Sequence, residues 1–399
     1  MNPRVTELQA RLAEAGMDAA LLLHPRDVLY YAGTARPASL LVVVPSHPSG
    51  AAPSAAAPQP ILFVRRGMTY ARQEATVERV ERMRGFSSVT GAIEALGLSG
   101  GVLGVELDVT PAQLVHRLME AFHGWKVVDV SSLVLDQRLV KDADEVEATR
   151  QAAAVADAGH HRLPEVVRPG VTELEVAAEV ERAMRLAGHE GHQPLRHPGA
   201  RGGGVLLASG ENLTVRGGHG LVVTGAGLSP GSPYGASWRT LAEGDLIVLD
   251  IGSARGGYTA DESRTFVVGQ PTEEQRALFA ATRDAEEAAF EVLRPGVPVA
   301  EVYAAAETVV DRGAGPFFPP GSLTLPGFVG HGIGLELDEP PVLWPREEGL
   351  VREGMVLAVE VEVSAPEQGM MTKLEDTVVV RADACERLTH AAHEMIRCG

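Results

Sequence analysis

The chain contains 399 residues, of which 45% are hydrophobic and 22% are charged, a composition typical of a globular protein with two or three domains. Its 35 Lys and Arg residues against 53 Asp and Glu residues give a formal net charge of −18 at pH 7. A surface this acidic repels nucleic-acid phosphates and anionic lipids, so we expect neither nucleic acid nor a membrane surface as a partner. This acidic net charge is compatible with a cation-binding site.

The sequence carries no pattern of membrane insertion or secretion. Its longest apolar runs, such as residues 40–44, fall far short of the roughly 18 to 20 residues that a membrane-spanning helix needs. The N-terminal residues are typical of an amphipathic helix and lack a signal-peptide core and cleavage site. The two cysteines, Cys385 and Cys398, form no CxxC motif or disulfide framework. We therefore expect a cytoplasmic protein with two reduced thiols.

The first 135 residues or so alternate short apolar segments with helical stretches, the pattern of an α/β layer. Predicted strands cover residues 19–23, 40–44, 61–64 and 102–106, and predicted helices cover residues 70–82 and 111–122. Residues 45–60 contain five prolines and almost no charge, which predicts a long loop that a second subunit could order. A boundary near Lys141 gives an N-terminal α/β domain over residues 1–140 and a second domain over residues 141–399.

The second domain contains an internal repeat. VVRPGVTELEVAAEV, starting at Val166, resembles VLRPGVPVAEVYAAA, starting at Val292. Each copy is an Arg-Pro-Gly-Val turn followed by an amphipathic helix, and Thr172 with Glu175 predicts a capping box in the first copy. Two similar halves are therefore expected in this domain.

The repeat continues into two apolar strands that each carry one carboxylate. LAEGDLIVLDIG, starting at Leu241, resembles VREGMVLAVEVE, starting at Val351, and this register aligns Asp250 with Glu360. For any single Asp or Glu, a solvated surface position is the ordinary interpretation. An unpaired carboxylate within an apolar strand would cost several kcal/mol of desolvation, so each of these two needs a strong partner.

Each strand is followed by a turn and a returning strand with a second carboxylate. The first turn is predicted near residues 255 and 256 and brings Asp261 back roughly opposite Asp250, whereas Glu360 and Glu375 are symmetric about residues 367 and 368. If the halves pack around a pseudo-twofold axis, the four carboxylates converge. Like charges at such spacing do not all stay ionised without cations, and two divalent ions would balance them.

A neutral fifth ligand is available at His331, where flanking glycines let the backbone bring the imidazole close to the four carboxylates. Oxygen-rich ligation with one nitrogen favours Mn, Fe, Co or Zn over a soft-metal site. Carboxylates at paired hairpin positions in duplicated halves, together with this His, favour a metal centre over surface decoration.

The C-terminal 260 residues or so resemble the pita-bread metallopeptidases, and the two-domain layout is similar to their proline-specific branch, aminopeptidase P and prolidase. The family's five ligands fall on Asp250 in DIG, Asp261 in ADESRTF, His331 in GHGIG, Glu360, and Glu375 in LEDTVVV. The resemblance implies an α/β N-terminal domain followed by an α+β pita-bread (creatinase/aminopeptidase-like) domain with an internal pseudo-twofold duplication. It also implies two divalent metal ions per subunit, with manganese as the first expectation and cobalt, zinc or iron as alternatives.

The same resemblance implies hydrolysis of Xaa-Pro bonds, with Glu360 moving a proton to the leaving nitrogen, and a homodimer. A dipeptidase (prolidase) is the first expectation, and an aminopeptidase P acting on longer peptides is the alternative. A creatinase-like hydrolase is disfavoured because all five ligands are present. Methionine aminopeptidase is disfavoured because of the extra N-terminal domain.

Three positions near the ligands depart from the family pattern. Asp338 stands where a second His usually follows the metal-binding His by seven residues, Glu360-Val361-Glu362 stands for the usual Glu-Pro-Gly, and Lys373 stands for an Arg. Asp338 adds negative charge, and Lys373 keeps a positive charge but lacks the planar guanidinium group of Arg. Both are candidate substrate-binding residues. Asp338 also supports an alternative, a catalytically altered pita-bread protein that only binds a peptide or protein partner.

Two further candidate substrate contacts lie outside the ligand motifs. His219 is the nearest candidate for a His that precedes the DIG strand in the family, although the spacing here is longer. Arg36, in YYAGTARP of the first domain, is a candidate clamp for a substrate carboxylate. The remaining histidines considered are His192 and His197, as alternatives to His219, and His390 and His393, as surface residues rather than ligands.

Overall fold

The computed structural model describes residues 2–35, 39–45, 58–192, 194–196, 205–217 and 222–399. The chain divides into two compact units, Met1–Arg138 and Leu139–Gly399. Within the described ranges, no helix is both long enough and apolar enough to span a bilayer. Most of the loop predicted over residues 45–60 lies outside the described residues.

The first unit is an α/β layer, as predicted. Its elements are α1 (Pro3–Glu14), β1 (Ala19–Leu22), α2 (Pro25–Ala32), β2 (Ser39–Val43), β3 (Ile61–Val64), α3 (Met68–Glu74), β4 (Arg79–Arg82), α4 (Phe86–Glu94), β5 (Gly101–Val105), α5 (Ala112–Ala121), β6 (Trp125–Asp129) and α6 (Ser131–Arg138). The strands form one mixed sheet in the order β4-β3-β2-β1-β5-β6. The four strands predicted from the sequence are confirmed to within one residue at each end.

The helix predicted over residues 70–82 is wrong in its second half. Helix α3 ends at Glu74, and residues 79–82 form β4, which pairs in parallel with β3. The polar sequence RVER has no strand-like alternation, so its conformation comes from pairing with the neighbouring strand. Tertiary pairing overrides the local pattern here.

The second unit surrounds one large sheet. Its elements are α7 (Ala143–Val166), α8 (Glu173–Leu186), β7 (Val205–Ser209), a 3-10 helix (Gly210–Thr214), β8 (Leu246–Arg255), β9 (Tyr258–Val268), α9 (Glu273–Val292), α10 (Val299–Asp311), β10 (Gly330–Gly332), β11 (Glu339–Val342), β12 (Val356–Ala365), β13 (Met370–Val380), β14 (Cys385–Arg387) and β15 (Ile396–Cys398). The sheet runs β11-β10-β12-β13-β9-β8-β7, with β14 beside β13 and β15 beside β9.

The predicted duplication is confirmed in this unit. Strands β8 and β12 are each ten residues long, and their returning partners β9 and β13 are each eleven. Apolar side chains of α7 and α8 pack on the first hairpin, and those of α9 and α10 pack on the second. The Thr172–Glu175 capping box opens α8 as expected. The two hairpins meet where β9 pairs with β13, in the middle of the sheet.

A buried ionic cluster ties the C-terminal segment to β13 and α9. His393 Nε2 lies 2.7 Å from Asp376 Oδ2 and 2.9 Å from Glu286 Oε2. The prediction that His393 is a surface residue rather than a ligand misses these contacts, since its side chain is only 23% exposed. Although burial opposes the shift, hydrogen bonds to Asp376 and Glu286 raise the pKa of His393 to about 9. Burial would also raise the pKa of Asp376, but Arg264 and His393 lower it to about 2.

We expect the His393→Gln variant to lose stability in neutral solution but not in alkaline solution. The folded-state pKa of about 9 exceeds the usual value of 6.5, so the stabilising contribution is complete below about pH 6.5 and disappears as the pH rises through about 9. The loss should be on the order of 2 kcal/mol at about pH 6. Urea unfolding with a chelator present, at about pH 6 and about pH 10, measures it.

The matched control for this variant is His390→Gln, which removes an exposed imidazole three residues away. It should leave the free energy of unfolding unchanged at both pH values. A loss of equal size at both pH values in the His393→Gln variant would contradict the ion-pair interpretation.

Candidate metal centre

Neighbouring strands of the second sheet each contribute one residue of the predicted ligand set. Across β10, β12, β13, β9 and β8, these residues are His331, Glu360, Glu375, Asp261 and Asp250. Glu360 lies directly opposite Glu375, Glu375 opposite Ser263, and Ser263 opposite Asp250. Because directly paired residues, and residues two apart on a strand, share one face of a sheet, all five side chains project from the same face. Each is at most 8% exposed.

The two hairpins differ in register. In the second, Glu360 pairs with Glu375 as predicted. In the first, Asp250 pairs with Ser263 and Asp261 pairs with Gly252, so the two aspartates are diagonal neighbours instead of facing residues. The prediction of a facing pair is wrong because the turn is centred on Gly256-Gly257, which shifts the register of the returning strand.

Lys373 joins three of the four carboxylates. Its Nζ lies 2.8 Å from Asp250 Oδ2, 2.8 Å from Glu360 Oε2 and 3.3 Å from Glu375 Oε2. The side chain is fully buried and lies two residues before Glu375 on the same face of β13. A residue considered from the sequence as a substrate contact thus has its ammonium group against the ligand set. These buried contacts supply part of the counter-charge that the carboxylates need.

One ammonium does not neutralise this group of acids. Burial, together with Glu375 and Asp250, raises the pKa of Asp261 well above its usual range. Burial also raises the pKa of Glu375 to about 8, although Lys373 opposes the shift. Ligand atoms of Asp261, His331 and Glu375 lie within 4.8 Å of one another. Hard oxygen donors with one imidazole fit a divalent transition-metal ion, which would supply the positive charge that this group of acids lacks.

The imidazole of His331 is oriented by its own backbone. Nδ1 donates to the carbonyl oxygen of Gly332 at 2.9 Å, which leaves Nε2 directed at the acids. Nε2 lies 3.4 Å from Asp338 Oδ1 and 3.7 Å from Glu360 Oε1. Although burial lowers it, Asp338 and Glu360 raise the pKa of His331. The Asp338 side chain is 60% exposed, so it forms the solvent side of this group.

A second group of acids with a His lies nearby but has a different charge balance. Atoms of Glu286, Asp376 and His393 also lie within 4.8 Å of one another. Asp376 is already paired with Arg264 at 2.6 Å and Arg387 at 3.2 Å. Because these cations neutralise it, we interpret this cluster as a structural ion network instead of a metal site.

Of the candidate substrate contacts, Arg36, His219 and His197 lie outside the described residues, and His192 is exposed. Sequence reasoning missed Ser263, whose Oγ donates to Glu375 Oε2 at 2.6 Å. Its position two residues after Asp261 places it on the ligand face, so strand alternation could have indicated it.

Models of known protein families match both units of the chain. The family model described as metallopeptidase family M24 matches residues 147–382, and the creatinase/prolidase N-terminal domain matches residues 4–140. The Xaa-Pro dipeptidase of Pyrococcus horikoshii is 25% identical over 398 residues, covering 99% of both chains. The dipeptidase PepE structure from Mycobacterium ulcerans is 27% identical, with a TM-score of 0.77, covering 99% of this chain and 96% of that one.

Two further solved structures share the fold. The Xaa-Pro dipeptidase from Bacillus anthracis has a TM-score of 0.81 at 24% identity, covering 99% of both chains. The X-Pro aminopeptidase from Thermotoga maritima has a TM-score of 0.79 at 23% identity, covering 97% of this chain and 99% of that one. Because the M24 model spans residues 147–382, more than half of the sequence, this chain belongs to metallopeptidase family M24.

Proposed function

We propose that this chain hydrolyses Xaa-Pro bonds with the help of two divalent metal ions, and that dipeptides are its preferred substrates. The observation that carries the proposal is the convergence of four carboxylates and His331 on one face of five adjacent strands. The names of relatives support the substrate class, since they include Xaa-Pro dipeptidases that align over 99% of this chain. An aminopeptidase P acting on longer peptides is the alternative within the class.

Asp250, Asp261, His331, Glu360 and Glu375 are the residues proposed to hold the ions. The donor set of carboxylate oxygens with one imidazole suits manganese, our first choice, and also cobalt, zinc or iron. Bound there, the ions would polarise the scissile carbonyl and lower the pKa of a water molecule. The protein's own contribution is to fix the ligand positions on paired strands and to keep His331 in the orientation set by Gly332.

Glu360 is the proposed proton carrier. Its Oε2 accepts from the Lys373 ammonium at 2.8 Å, and its Oε1 faces His331 Nε2 at 3.7 Å. A carboxylate held in this way can take a proton from the attacking water and deliver it to the leaving nitrogen. A proline nitrogen carries no amide hydrogen before cleavage, so selection for it has to come from pocket shape and not from a hydrogen-bond acceptor at that atom.

Arg36, His219 and Asp338 remain proposed substrate contacts. For Lys373, its three contacts with carboxylates favour a role in holding the ligands over a direct contact with substrate.

We further propose a cytoplasmic homodimer, which family resemblance supports. Light scattering would test the oligomeric state, and a monomeric mass would contradict it.

A second candidate function is a pita-bread protein that only binds a peptide or protein partner. The observation that favours it is Asp338, an exposed carboxylate beside His331 at the position where the resemblance implies a substrate-contacting His. An added negative charge at this point could disfavour turnover while leaving metal binding intact.

We expect the metal-stripped protein to cleave Ala-Pro only after Mn²⁺ is added, and to cleave Ala-Pro faster than Ala-Pro-Ala. The ligand set carries the chemistry only when cations are bound, and a dipeptidase prefers the shorter peptide. Release of the N-terminal alanine, with metal content determined in parallel, measures this. Faster cleavage of Ala-Pro-Ala would favour aminopeptidase P. No cleavage of either peptide with two ions bound would favour the binding protein.

We expect Lys373→Met to destabilise the metal-free protein more than the metal-loaded protein. Without the ammonium, three buried carboxylates lose their shared partner, at a cost of about 3 to 5 kcal/mol, and divalent ions can supply the missing charge. Unfolding with a chelator and with saturating Mn²⁺ measures the difference. Lys373→Arg, which keeps the charge, should lose less in both conditions. An equal loss with and without metal would contradict this role for Lys373.

A further inference from the structure

Glu362 is a buried carboxylate beside the ligand set that takes no part in it. It lies on β12 two residues after Glu360 and pairs directly with Lys373 of β13, so it projects from the same face of the sheet as the ligands. Its side chain is fully buried. A charge in this position needs partners that hold it strongly.

The two oxygens of Glu362 are bound by two arms of one chain segment. Oε1 accepts from Arg216 Nη2 at 2.9 Å, and Oε2 accepts from the backbone N–H of Val223 at 2.7 Å. The arms, residues 215–217 and 222–224, are also bonded to each other. The amide of Thr224 donates to the carbonyl of Val215 at 3.1 Å, and the amide of Gly217 donates to Thr224 Oγ1 at 2.6 Å.

Apolar packing independently places this segment on the ligand face. Val223 is buried in a cluster that includes Val248 and Met371. Val248 lies two residues before Asp250 on β8, and Met371 lies two residues before Lys373 on β13. Both therefore share the face of the ligand set, and the arm that carries Val223 covers the sheet next to it.

We propose that Glu362 is a positioning residue that clamps the arms 215–217 and 222–224 as a wall of the peptide-binding site. The inference rests on the proposed function, because the wall acts on a peptide held at the metal centre. Both oxygens of Glu362 are used by the arms, so it serves the site by fixing this wall and not as a ligand. A charge-assisted bond to Arg216 and a bond to a backbone amide hold the two arms through one side chain.

Arg216→Met and Glu362→Gln test the clamp. Arg216 is half exposed, so its replacement should fold, whereas Glu362→Gln keeps the side-chain shape but removes the charge. We expect both variants to raise KM for Ala-Pro by about tenfold while kcat changes by less than about threefold and metal content is unchanged. Amide hydrogen exchange in residues 215–217 and 222–224 should become about tenfold faster or more.

The matched control is Arg381→Met. Arg381 has the same partial exposure as Arg216 and also pairs with a carboxylate, Glu386. It should change neither KM nor exchange in residues 215–217 and 222–224. Unchanged exchange in the Arg216→Met variant would overturn the claim that Glu362 clamps the arms. Faster exchange with an unchanged KM would overturn the claim that the arms form a wall of the peptide-binding site. A fall in metal content would show that Glu362 acts through the metal centre, which also overturns the proposal.

The proposed function and this inference can fail separately. If the metal-loaded wild type cleaves no Xaa-Pro peptide, the proposed function fails. The inference is then decided by exchange with and without Ala-Pro. Added peptide should slow exchange in residues 215–217 and 222–224 of the wild type and not of Arg216→Met. An equal effect of the peptide on both proteins, or no effect on either, would overturn the inference.

Discussion

The second unit depends on holding several carboxylates close together inside an apolar sheet. Asp250, Glu360 and Glu375 share the ammonium of Lys373, at Nζ–O distances of 2.8, 2.8 and 3.3 Å. One ammonium offsets one negative charge, so this point of the sheet favours further cations. The carboxylates repel one another, and only a rigid frame keeps them together without those cations. Long, fully paired hairpins provide that frame better than loops would.

Each half of the duplicated unit positions a proposed ligand of the other half. The Asp261 amide donates to Thr377 Oγ1 at 2.8 Å, and that hydroxyl donates back to the Asp261 carbonyl at 2.8 Å. In the opposite direction, Arg264 Nη1 donates to the Glu375 carbonyl at 2.7 Å. These bonds cross the junction of β9 with β13. The geometry of the proposed ligands is therefore a property of the paired halves and not of either hairpin alone.

The sequence predicts those parts of the site that follow from local periodicity. The facing pair of Glu360 and Glu375 is found because a hairpin centre can be read from the symmetry of its two strands. Asp250 and Asp261 are diagonal neighbours because of the register of their hairpin. The register changes with a shift of one residue in the turn, and the composition of the sequence does not reveal the position of the turn to that precision. The contacts of His393 are missed because its partners, Asp376 and Glu286, are distant from it in sequence. Such long-range ion pairs leave no local signal.

Three departures from the family pattern surround the proposed ligands without replacing any of them. Lys373 lies against three of the carboxylates, Asp338 lies beside His331, and Glu362 holds the arms that carry Arg216 and Val223. The residues proposed to bind the ions are all present, so these changes leave the donor set intact and alter the charge and walls around it. The changes at Asp338 and Glu362 act on how a peptide is held, because binding contacts can vary while the reacting groups stay fixed. The selectivity of this chain is therefore to be sought at the rim of the site, at Asp338 and at the wall fixed by Glu362.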